Sequence, residues 1–171
     1  MNCIFLDFDG PMIPAKAFYL PSQTKPARLF DPCATGMLLN IISESNSKIV
    51  ISSIHRKHGY AEVCTTLIKN NIDPSLLHID WATTTLPNLT RSEEIQMWLD
   101  DHQVDQYIAI DDELLDESIV STKCCGYEGF SMVNFLECKV MLGVYDKTLD
   151  ISPEVQLGRT RVTLNWIKNH K

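Results

Sequence analysis

CIFLDFDG, residues 3–10, carries an apolar run straight into two aspartates and a glycine. The first four residues have the length and composition of a buried strand, and the glycine marks the turn that ends it. Asp7 and Asp9 therefore stand where a buried strand leaves the core. Aspartates at such a place are either solvated turn formers or part of a polar site. Which of the two applies depends on what the other strands bring to the same place.

Apolar patterning along the rest of the chain alternates between helical and extended periods. Helical spacing is found over Ala34–Ile42, Tyr60–Asn70, a stretch after Thr90 that includes Ile95, Trp98, Leu99 and His102, and Ser131–Leu142. Strands are predicted at Lys48–Ser53, Leu77–Trp81, Tyr107–Asp112 and Ser118–Ser121. Pro11–Pro32 is predicted as a long irregular loop. The alternation predicts an α/β fold with a mostly parallel sheet and helices on both faces.

Composition limits the classes of protein to which the chain can belong. Its 171 residues, 44% of them hydrophobic, predict one domain over residues 1–171, with a core of about 1–142 and an extension, 143–171, of unknown role. A net charge of −7 argues against non-specific nucleic-acid binding. With no long apolar run and no signal peptide, a soluble, cytoplasmic protein without a membrane partner is expected. Six scattered cysteines predict reduced thiols rather than disulfides or a cysteine zinc site.

Polar residues follow three of the predicted strands, and they are Asp7 and Asp9, Ser52 and Ser53, and Asp111 and Asp112. If the strands are parallel, all three sets lie at one edge of the sheet, where such sheets bind ligands. Two carboxylates about 4 Å apart repel each other by roughly 4 kcal/mol at an effective dielectric constant near 20. A cation is therefore expected among them, and magnesium prefers oxygen ligands of this kind.

Three of these segments resemble the first, second and fourth motifs of the haloacid dehalogenase (HAD) superfamily: FLDFDG (5–10), IVISS (49–53) and YIAIDD (107–112). Together with RSEEIQMWL (91–99), they are similar to the capless HAD domains of RNA-repair ("Swiss army knife") proteins. The resemblance covers about residues 3–142. It implies a Rossmann-like, three-layer fold without a large cap domain. It also implies a Mg²⁺-dependent phosphatase that hydrolyses phosphomonoesters through an aspartyl-phosphate intermediate.

The resemblance also implies catalytic roles for individual residues. Asp7 would be the nucleophile, because a carboxylate can form a covalent phosphoenzyme. Asp9 would protonate the leaving oxygen and later deprotonate the attacking water. Ser52 would donate its hydroxyl to a phosphoryl oxygen, with Ser53 as the alternative. Gly10 would let the backbone turn away and leave room for the phosphoryl group.

The magnesium site implied by the family joins the ends of two strands. The Asp7 carboxylate and the Asp9 backbone carbonyl would bind the cation from the first strand. Asp112 would contact it from the later strand, and Asp111 would support the site. The cation would neutralise both nucleophile and phosphate, so that the attack does not bring two anions together.

The chain departs from the family at its third motif, which is normally a lysine. Arg91 is the best replacement, since a guanidinium can bind phosphate with two donors. The alternatives are that Arg91 is an exposed surface cation and that Lys123 supplies the charge. Arg56 matches an arginine that recurs in the resembled group and is expected to contact substrate.

The substrate is expected to be a phosphate on a large molecule. Only about 40 residues separate the first motif from the second, which leaves no room for a cap domain, so the site should be open. A nucleic-acid end or a phosphoprotein would fit, and the loop Pro11–Pro32, with Lys16, Lys25 and Arg28, could form a flap beside the site and contact such a substrate. The alternatives are a small-molecule nucleotidase, a non-catalytic HAD-fold binding or regulatory module, and a phosphate-receiving signalling domain.

Overall fold

The computed structural model of the chain describes residues 1–19 and 29–145, so the expected C-terminal extension lies outside the described residues from position 146 onward. Strands and α-helices alternate in these ranges. The strands are β1 (Asn2–Leu6), β2 (Ser47–Ile51), β3 (Leu77–Ala82), β4 (Gln106–Asp111) and β5 (Ser121–Lys123). The helices are α1 (Pro32–Ser45), α2 (Tyr60–Lys69), α3 (Arg91–Asp100) and α4 (Met132–Met141).

The five strands form one sheet in the order β3-β2-β1-β4-β5, with every neighbouring pair parallel. Leu6, the last residue of β1, lies opposite Ile51 of β2 and Ile110 of β4. The chain therefore leaves all three strands at the same edge of the sheet. It first builds outward from β1 to β3 and then returns to the other side of β1, which makes the gap between β1 and β4 the switch point where such sheets bind ligands.

Helices cover both faces of the sheet, because the central strands are apolar on both sides. On β1, Ile4 and Leu6 belong to a core cluster that also takes residues from α1, α2 and α4. Cys3 and Phe5 point to the other face, where α3 packs and the Trp98 ring meets Phe5 edge-on at 5.3 Å. The expected three-layer α/β fold is confirmed.

Most element boundaries differ from the sequence prediction by one to three residues, and two of the differences change the environment of a residue. The fifth strand is Ser121–Lys123 and not Ser118–Ser121. Ile119, which suggested a strand there, is buried in the core on the α3 side without pairing in the sheet. Helix α3 ends at Asp100, so His102 lies beyond the helix and does not continue its apolar face.

The proline-rich loop after β1 contains a short 3₁₀ helix, Ala15–Tyr19. Of the cations expected to contact substrate from this loop, Lys25 and Arg28 lie outside the described residues. Lys16 is described, and its Nζ pairs with Glu128 at 2.9 Å.

No connection within the described residues holds a second domain, in agreement with the expected lack of a large cap. The described connections after β2 and β3, residues 52–59 and 83–90, are short. The carboxyl edge of the sheet is therefore bordered by loops alone in the described parts of the chain. None of the helices described is long and apolar enough to cross a membrane.

Candidate active site

Three carboxylates meet at the switch point between β1 and β4. Asp7 follows β1, Asp111 ends β4 and Asp112 comes next, and each offers an oxygen within 4.8 Å of the others. The backbone N–H of Asp7 donates to the Ile110 carbonyl at 3.0 Å, which ties the two strand ends together. Asp7 and Asp111 are buried, whereas Asp112 is half-buried. The sequence prediction that these side chains converge agrees with this geometry.

Burial makes the negative charge of this cluster costly. Burial and, to a smaller extent, the Asp111 carboxylate raise the pKa of Asp7 to about 7. The Arg91 guanidinium and hydrogen bonds from the Ser53 side chain and the Phe8 N–H oppose that shift. Burial also raises the pKa of Asp111 and of Asp112. The guanidinium of Arg91 does not offset the burial of three carboxylates, so a further cation would stabilise the cluster.

Three buried side-chain oxygen atoms at this edge of the sheet have no hydrogen-bond partner among the described residues. Asp111 Oδ1 accepts a hydrogen bond from the Glu113 N–H at 2.9 Å. The buried side-chain atoms with no hydrogen-bond partner in the described part of the chain are Asp111 Oδ2, Ser52 Oγ and Thr83 Oγ1. They lie at the carboxyl ends of β4, β2 and β3, on the same edge of the sheet. Since buried polar atoms are nearly always paired, this grouping indicates a ligand site.

Two glycines make room for the Asp112 carboxylate. A Cβ atom on Gly10 would lie 2.4 Å from Asp112 Cγ, and one on Gly126 would lie 2.5 Å from Asp112 Oδ2. Gly10 also has φ +91°, a conformation that side-chain-bearing residues rarely adopt. Three carboxylates, one held between two glycines and one with an oxygen that has no hydrogen-bond partner, form a set of hard oxygen ligands. These residues fit Mg²⁺.

Arg91 brings a cation into the carboxylate cluster. It is the first residue of α3, its side chain is only 14% exposed, and its Nη1 lies 3.7 Å from both Asp7 Oδ1 and Asp111 Oδ2. The same nitrogen donates to the Ser52 carbonyl. Arg91 is therefore not an exposed surface cation. Lys123, the other candidate, is exposed at the end of β5.

Arg56 lies behind the cluster and is fully engaged by the protein. Its guanidinium donates to carbonyl oxygens of residues 52–53 after β2 and 83–84 after β3, and its Nη2 pairs with Glu94 Oε1 at 2.6 Å. These bonds use all five N–H donors of an arginine. The expectation that Arg56 contacts substrate is corrected accordingly, because its geometry is that of a residue that holds two loops in position.

The two serines differ in their surroundings. The Ser53 side chain hydrogen-bonds to Asp7, and its hydroxyl also accepts from the His55 N–H at 3.5 Å at the start of a 3₁₀ helix, Ile54–His58. The Ser52 hydroxyl is fully buried and is one of the unpartnered atoms described above. Of the two hydroxyls left open by the sequence, Ser53 is therefore the one that contacts Asp7.

Asp9 lies at the mouth of the site. Its side chain is 62% exposed, and Oδ2 lies 2.9 Å from His55 Nε2. An exposed carboxylate at the mouth can reach a leaving group from solvent. The Asp9 carboxylate does not belong to the cluster formed by Asp7, Asp111 and Asp112. The expected role of the Asp9 backbone carbonyl as a metal ligand stays a prediction. The N–H of Gly10 donates to the Ile13 carbonyl and is not available to a phosphate.

Sequence reasoning missed three residues of this site. Glu94 lies three positions after Arg91 on α3, and its Oε2 is 3.7 Å from Arg91 Nε while Oε1 pairs with Arg56. Its i, i+3 spacing from Arg91 at the start of a predicted helix was the available signal. Gly126 and Thr83 carry no pattern in the sequence, because only the folded loops bring them to the carboxylates.

Replacing Asp111 with asparagine should stabilise the metal-free protein while removing a carboxylate from the group that could hold a metal ion. The amide keeps the shape of the side chain and removes one of three clustered charges, which is expected to raise the free energy of unfolding by on the order of 1 to 3 kcal/mol near neutral pH. The measurement is unfolding in a chelator and in Mg²⁺. The cation should stabilise the wild type and have little effect on the variant. A less stable variant in the chelator would contradict the charge repulsion.

The free energy of unfolding of the metal-free protein is expected to fall as the pH rises through the range in which Asp7 ionises. The pKa of Asp7 rises from its ordinary 3.8 to about 7 on folding, so the folded chain binds this proton more tightly than the unfolded chain. The stability contributed by this group is therefore present at low pH and is lost as pH rises between these values. In Asp111→Asn the loss should be smaller, because one of the causes of the shift is gone. An equal loss in both proteins would contradict the coupling of these two carboxylates.

The family model described as "HAD domain in Swiss Army Knife RNA repair proteins" matches residues 3–148. The match includes every strand of the sheet and all the site residues described above. Neither a curated protein nor a solved structure matches the chain.

Proposed function

The chain belongs to the family of HAD domains found in Swiss Army Knife RNA repair proteins, and we propose that it is a Mg²⁺-dependent phosphatase that uses Asp7 as its nucleophile. Family membership supports a HAD-type, phosphatase-like function. The observation that carries the finer proposal is the cluster of Asp7, Asp111 and Asp112 beside Arg91, with unpartnered buried oxygens at the same edge of the sheet. A site that merely bound another protein would not need buried carboxylates that resist ionisation.

The proposed reaction has two steps. An Asp7 carboxylate oxygen attacks phosphorus, the bond between phosphorus and the ester oxygen breaks, and Asp9 gives its proton to the leaving oxygen. Water then attacks the aspartyl-phosphate, Asp9 takes a proton from it, and the bond between phosphorus and Asp7 breaks to release phosphate. Asp9 thus ends each cycle protonated, as it began. His55, 2.9 Å from the Asp9 carboxylate, orients it at the mouth of the site.

Neighbouring groups prepare Asp7 for this role. Arg91 Nη1 faces both Asp7 and Asp111 and can donate to a phosphoryl oxygen that enters beside them. Ser53 holds the Asp7 carboxylate by a hydrogen bond. Asp7, Asp111 and Asp112 would hold Mg²⁺, which when bound supplies the positive charge that buried carboxylates and phosphate require. Arg56 and Glu94 keep the loops after β2 and β3 in place around this centre.

An aromatic pair beside the site supports a nucleic-acid end as the substrate. Tyr19 and Tyr127 are 79% and 53% exposed, with ring centroids 6.5 Å apart. The segments that carry them are joined by two backbone hydrogen bonds, from Ala15 to Gly126 and from Lys16 to Tyr127. Gly126 also lies against Asp112, so the pair stands next to the proposed metal ligands. Exposed aromatic rings stack on bases, which favours a phosphate at a nucleic-acid end over one on a protein.

The test begins with phosphate release from an aryl phosphate by the purified protein, in Mg²⁺ and in a chelator. Phosphorylated oligonucleotides, a phosphopeptide and a mononucleotide are then compared. Mg²⁺-dependent release is expected, with the oligonucleotide preferred. No release from any of these substrates would contradict the phosphatase and favour a non-catalytic module, and a preferred mononucleotide would indicate a nucleotidase.

Tyr127→Ser tests the aromatic pair. It is expected to lower kcat/KM for the oligonucleotide relative to the aryl phosphate by about tenfold, because stacking contributes about 1 to 3 kcal/mol per base. Tyr60→Ser is the matched control, since Tyr60 is also exposed but lies on α2, where it contacts Trp81. Equal effects of the two variants on the oligonucleotide would remove the support for stacking at Tyr127.

A further inference from the structure

A second group of possible metal ligands lies at the edge of the sheet. His78 and Asp80 are two residues apart on β3 and therefore share a face of that strand. His102 follows the end of α3, and one ligand atom from each of the three residues lies within 4.8 Å of the others. Strand β2 separates β3 from β1, so this group is distinct from the carboxylates around Asp7.

The His102 ring is held from three sides. Nδ1 lies 2.6 Å from the Trp98 carbonyl oxygen, and Nε2 lies 3.0 Å from Asp80 Oδ2. The ring also stacks on the Trp98 indole, with centroids 3.7 Å apart and an angle of 6° between the planes. Since both nitrogens face oxygen acceptors, the ring must carry a proton on each nitrogen to satisfy them. A divalent cation can take the place of the proton between Nε2 and Asp80, while Nδ1–H still donates to the carbonyl.

This arrangement is the one that metal-binding histidines favour. A ligating imidazole usually donates its other N–H to a carboxylate or a backbone carbonyl, which fixes the tautomer and the ring plane. For His102 the Trp98 carbonyl has this role. The same tryptophan donates Nε1–H to the Asp80 carbonyl at 3.0 Å. This hydrogen bond joins the Trp98 side chain of α3 to the backbone of β3 beside the three possible ligands.

His78 can complete the group. Its Nδ1 lies 3.0 Å from the Asp80 N–H and 3.4 Å from the Asp80 carbonyl oxygen. In this arrangement Nδ1 accepts from the Asp80 N–H, and Nε2 carries the proton of the neutral ring. A metal that binds the ring replaces either the hydrogen bond at Nδ1 or the proton on Nε2, and in the second case Nδ1–H turns to the Asp80 carbonyl. The ring packs edge-on against Trp98 and His102, with centroids 5.0 and 5.3 Å away.

We propose that His78, Asp80 and His102 bind a transition-metal dication of the zinc class. Two imidazoles and one carboxylate suit Zn²⁺, whereas Mg²⁺ prefers oxygen ligands alone. Three protein ligands leave one tetrahedral position, and the Asp80 side chain is 64% exposed, so that position is open to water. The bound ion cross-links the edge strand β3 to the end of α3, independently of the phosphatase site.

The test is titration of the untagged, metal-free protein with Zn²⁺ in excess Mg²⁺, followed by calorimetry. One equivalent of Zn²⁺ is expected to bind, and His78→Gln, His102→Gln and Asp80→Asn are each expected to weaken its binding at least tenfold. Asp80 is an exposed side chain, so Asp80→Asn keeps the test valid if a histidine variant does not fold. Two control variants should bind Zn²⁺ as the wild type does: Asp7→Asn, which alters the acidic cluster, and Cys125→Ser, which removes an exposed thiol.

Co²⁺ gives an independent readout of the ligand geometry. The wild type should develop the visible absorption of a tetrahedral Co²⁺ site, and Asp80→Asn should lose it. Two results would overturn the proposal. One is Zn²⁺ affinity unchanged in the three ligand variants, which would assign the ion to thiols or to the acidic cluster. The other is no Zn²⁺ binding by the wild type, which would leave His102 and Asp80 as an ion pair.

Discussion

Phosphate release is expected to fall by about 10⁴-fold or more when Asp7 is replaced by asparagine, because the amide keeps the shape of the side chain and removes the nucleophile. Asp7 is buried beside Ser53, which can still hydrogen-bond to the amide oxygen, and Arg91 Nη1 lies 3.7 Å away and is held by the Ser52 carbonyl. The fold should survive for this reason. The loss is therefore expected in kcat, with substrate binding less affected.

The measurement is steady-state phosphate release from an aryl phosphate in Mg²⁺, with thermal unfolding of the same preparations. Asp80→Asn is the matched control, since it makes the same chemical change on β3, away from the carboxylate cluster, and should retain the activity of the wild type. The two variants thus separate the two sites, because Asp7→Asn should keep Zn²⁺ binding and Asp80→Asn should lose it. Activity of Asp7→Asn within tenfold of the wild type would refute Asp7 as the nucleophile.

The sequence predicts those site residues that lie at the ends of neighbouring strands. Asp7 and Asp111 stand directly at the ends of apolar runs, and parallel pairing in a common register brings such ends together without further information. Thr90 and Glu93, whose spacing in the sequence is that of a capping box, similarly fix the start of α3 by local hydrogen bonds. Arg91 directly follows the N-cap residue Thr90, so the same local pattern predicts that it is the first residue of α3.

The rest depends on contacts between segments far apart in the chain. Arg56 comes from the connection after β2 and Glu94 from α3, and the two meet only after β2 and α3 have packed, so the resemblance to a recurring arginine predicted a substrate contact instead. Gly126 lies beside Asp112 through a turn that leaves no periodic pattern. The position of β5 was missed because Ile119 is buried by α3 without being part of the sheet. Burial alone does not distinguish a strand from a buried loop.

The arginines and Glu94 form a connected charge system that links the loops to the nucleophile. Glu94 is buried and lies between Arg56, at 2.6 Å, and Arg91, at 3.7 Å. Arg56 donates mainly to backbone carbonyl oxygens, whereas Arg91 Nη1 faces Asp7 and Asp111. A buried carboxylate between two guanidinium groups holds both in fixed orientations. Arg91 is therefore the member of this system that is available to a phosphoryl group.

Replacing Arg91 with alanine is accordingly expected to lower kcat by about 10²- to 10³-fold, the range found when a preorganised charge donor is removed from a reacting centre. Glu94 keeps its pair with Arg56, so the loops should stay in place and the fold should survive. In a chelator the variant should be less stable than the wild type, because three carboxylates lose the cation beside them. Excess Mg²⁺ should recover much of that stability but not kcat.

Arg91→Lys distinguishes charge from geometry. A lysine at this position restores the usual third-motif residue of the family and should recover part of kcat, while its single ammonium cannot bridge Asp7, Asp111 and the Ser52 carbonyl as the guanidinium does. Lys123→Ala, at the exposed end of β5, is the control and should leave kcat unchanged. If Arg91→Ala retained kcat within twofold of the wild type, the guanidinium would serve to hold the Ser52 loop, and the phosphoryl group would have to be bound by other donors.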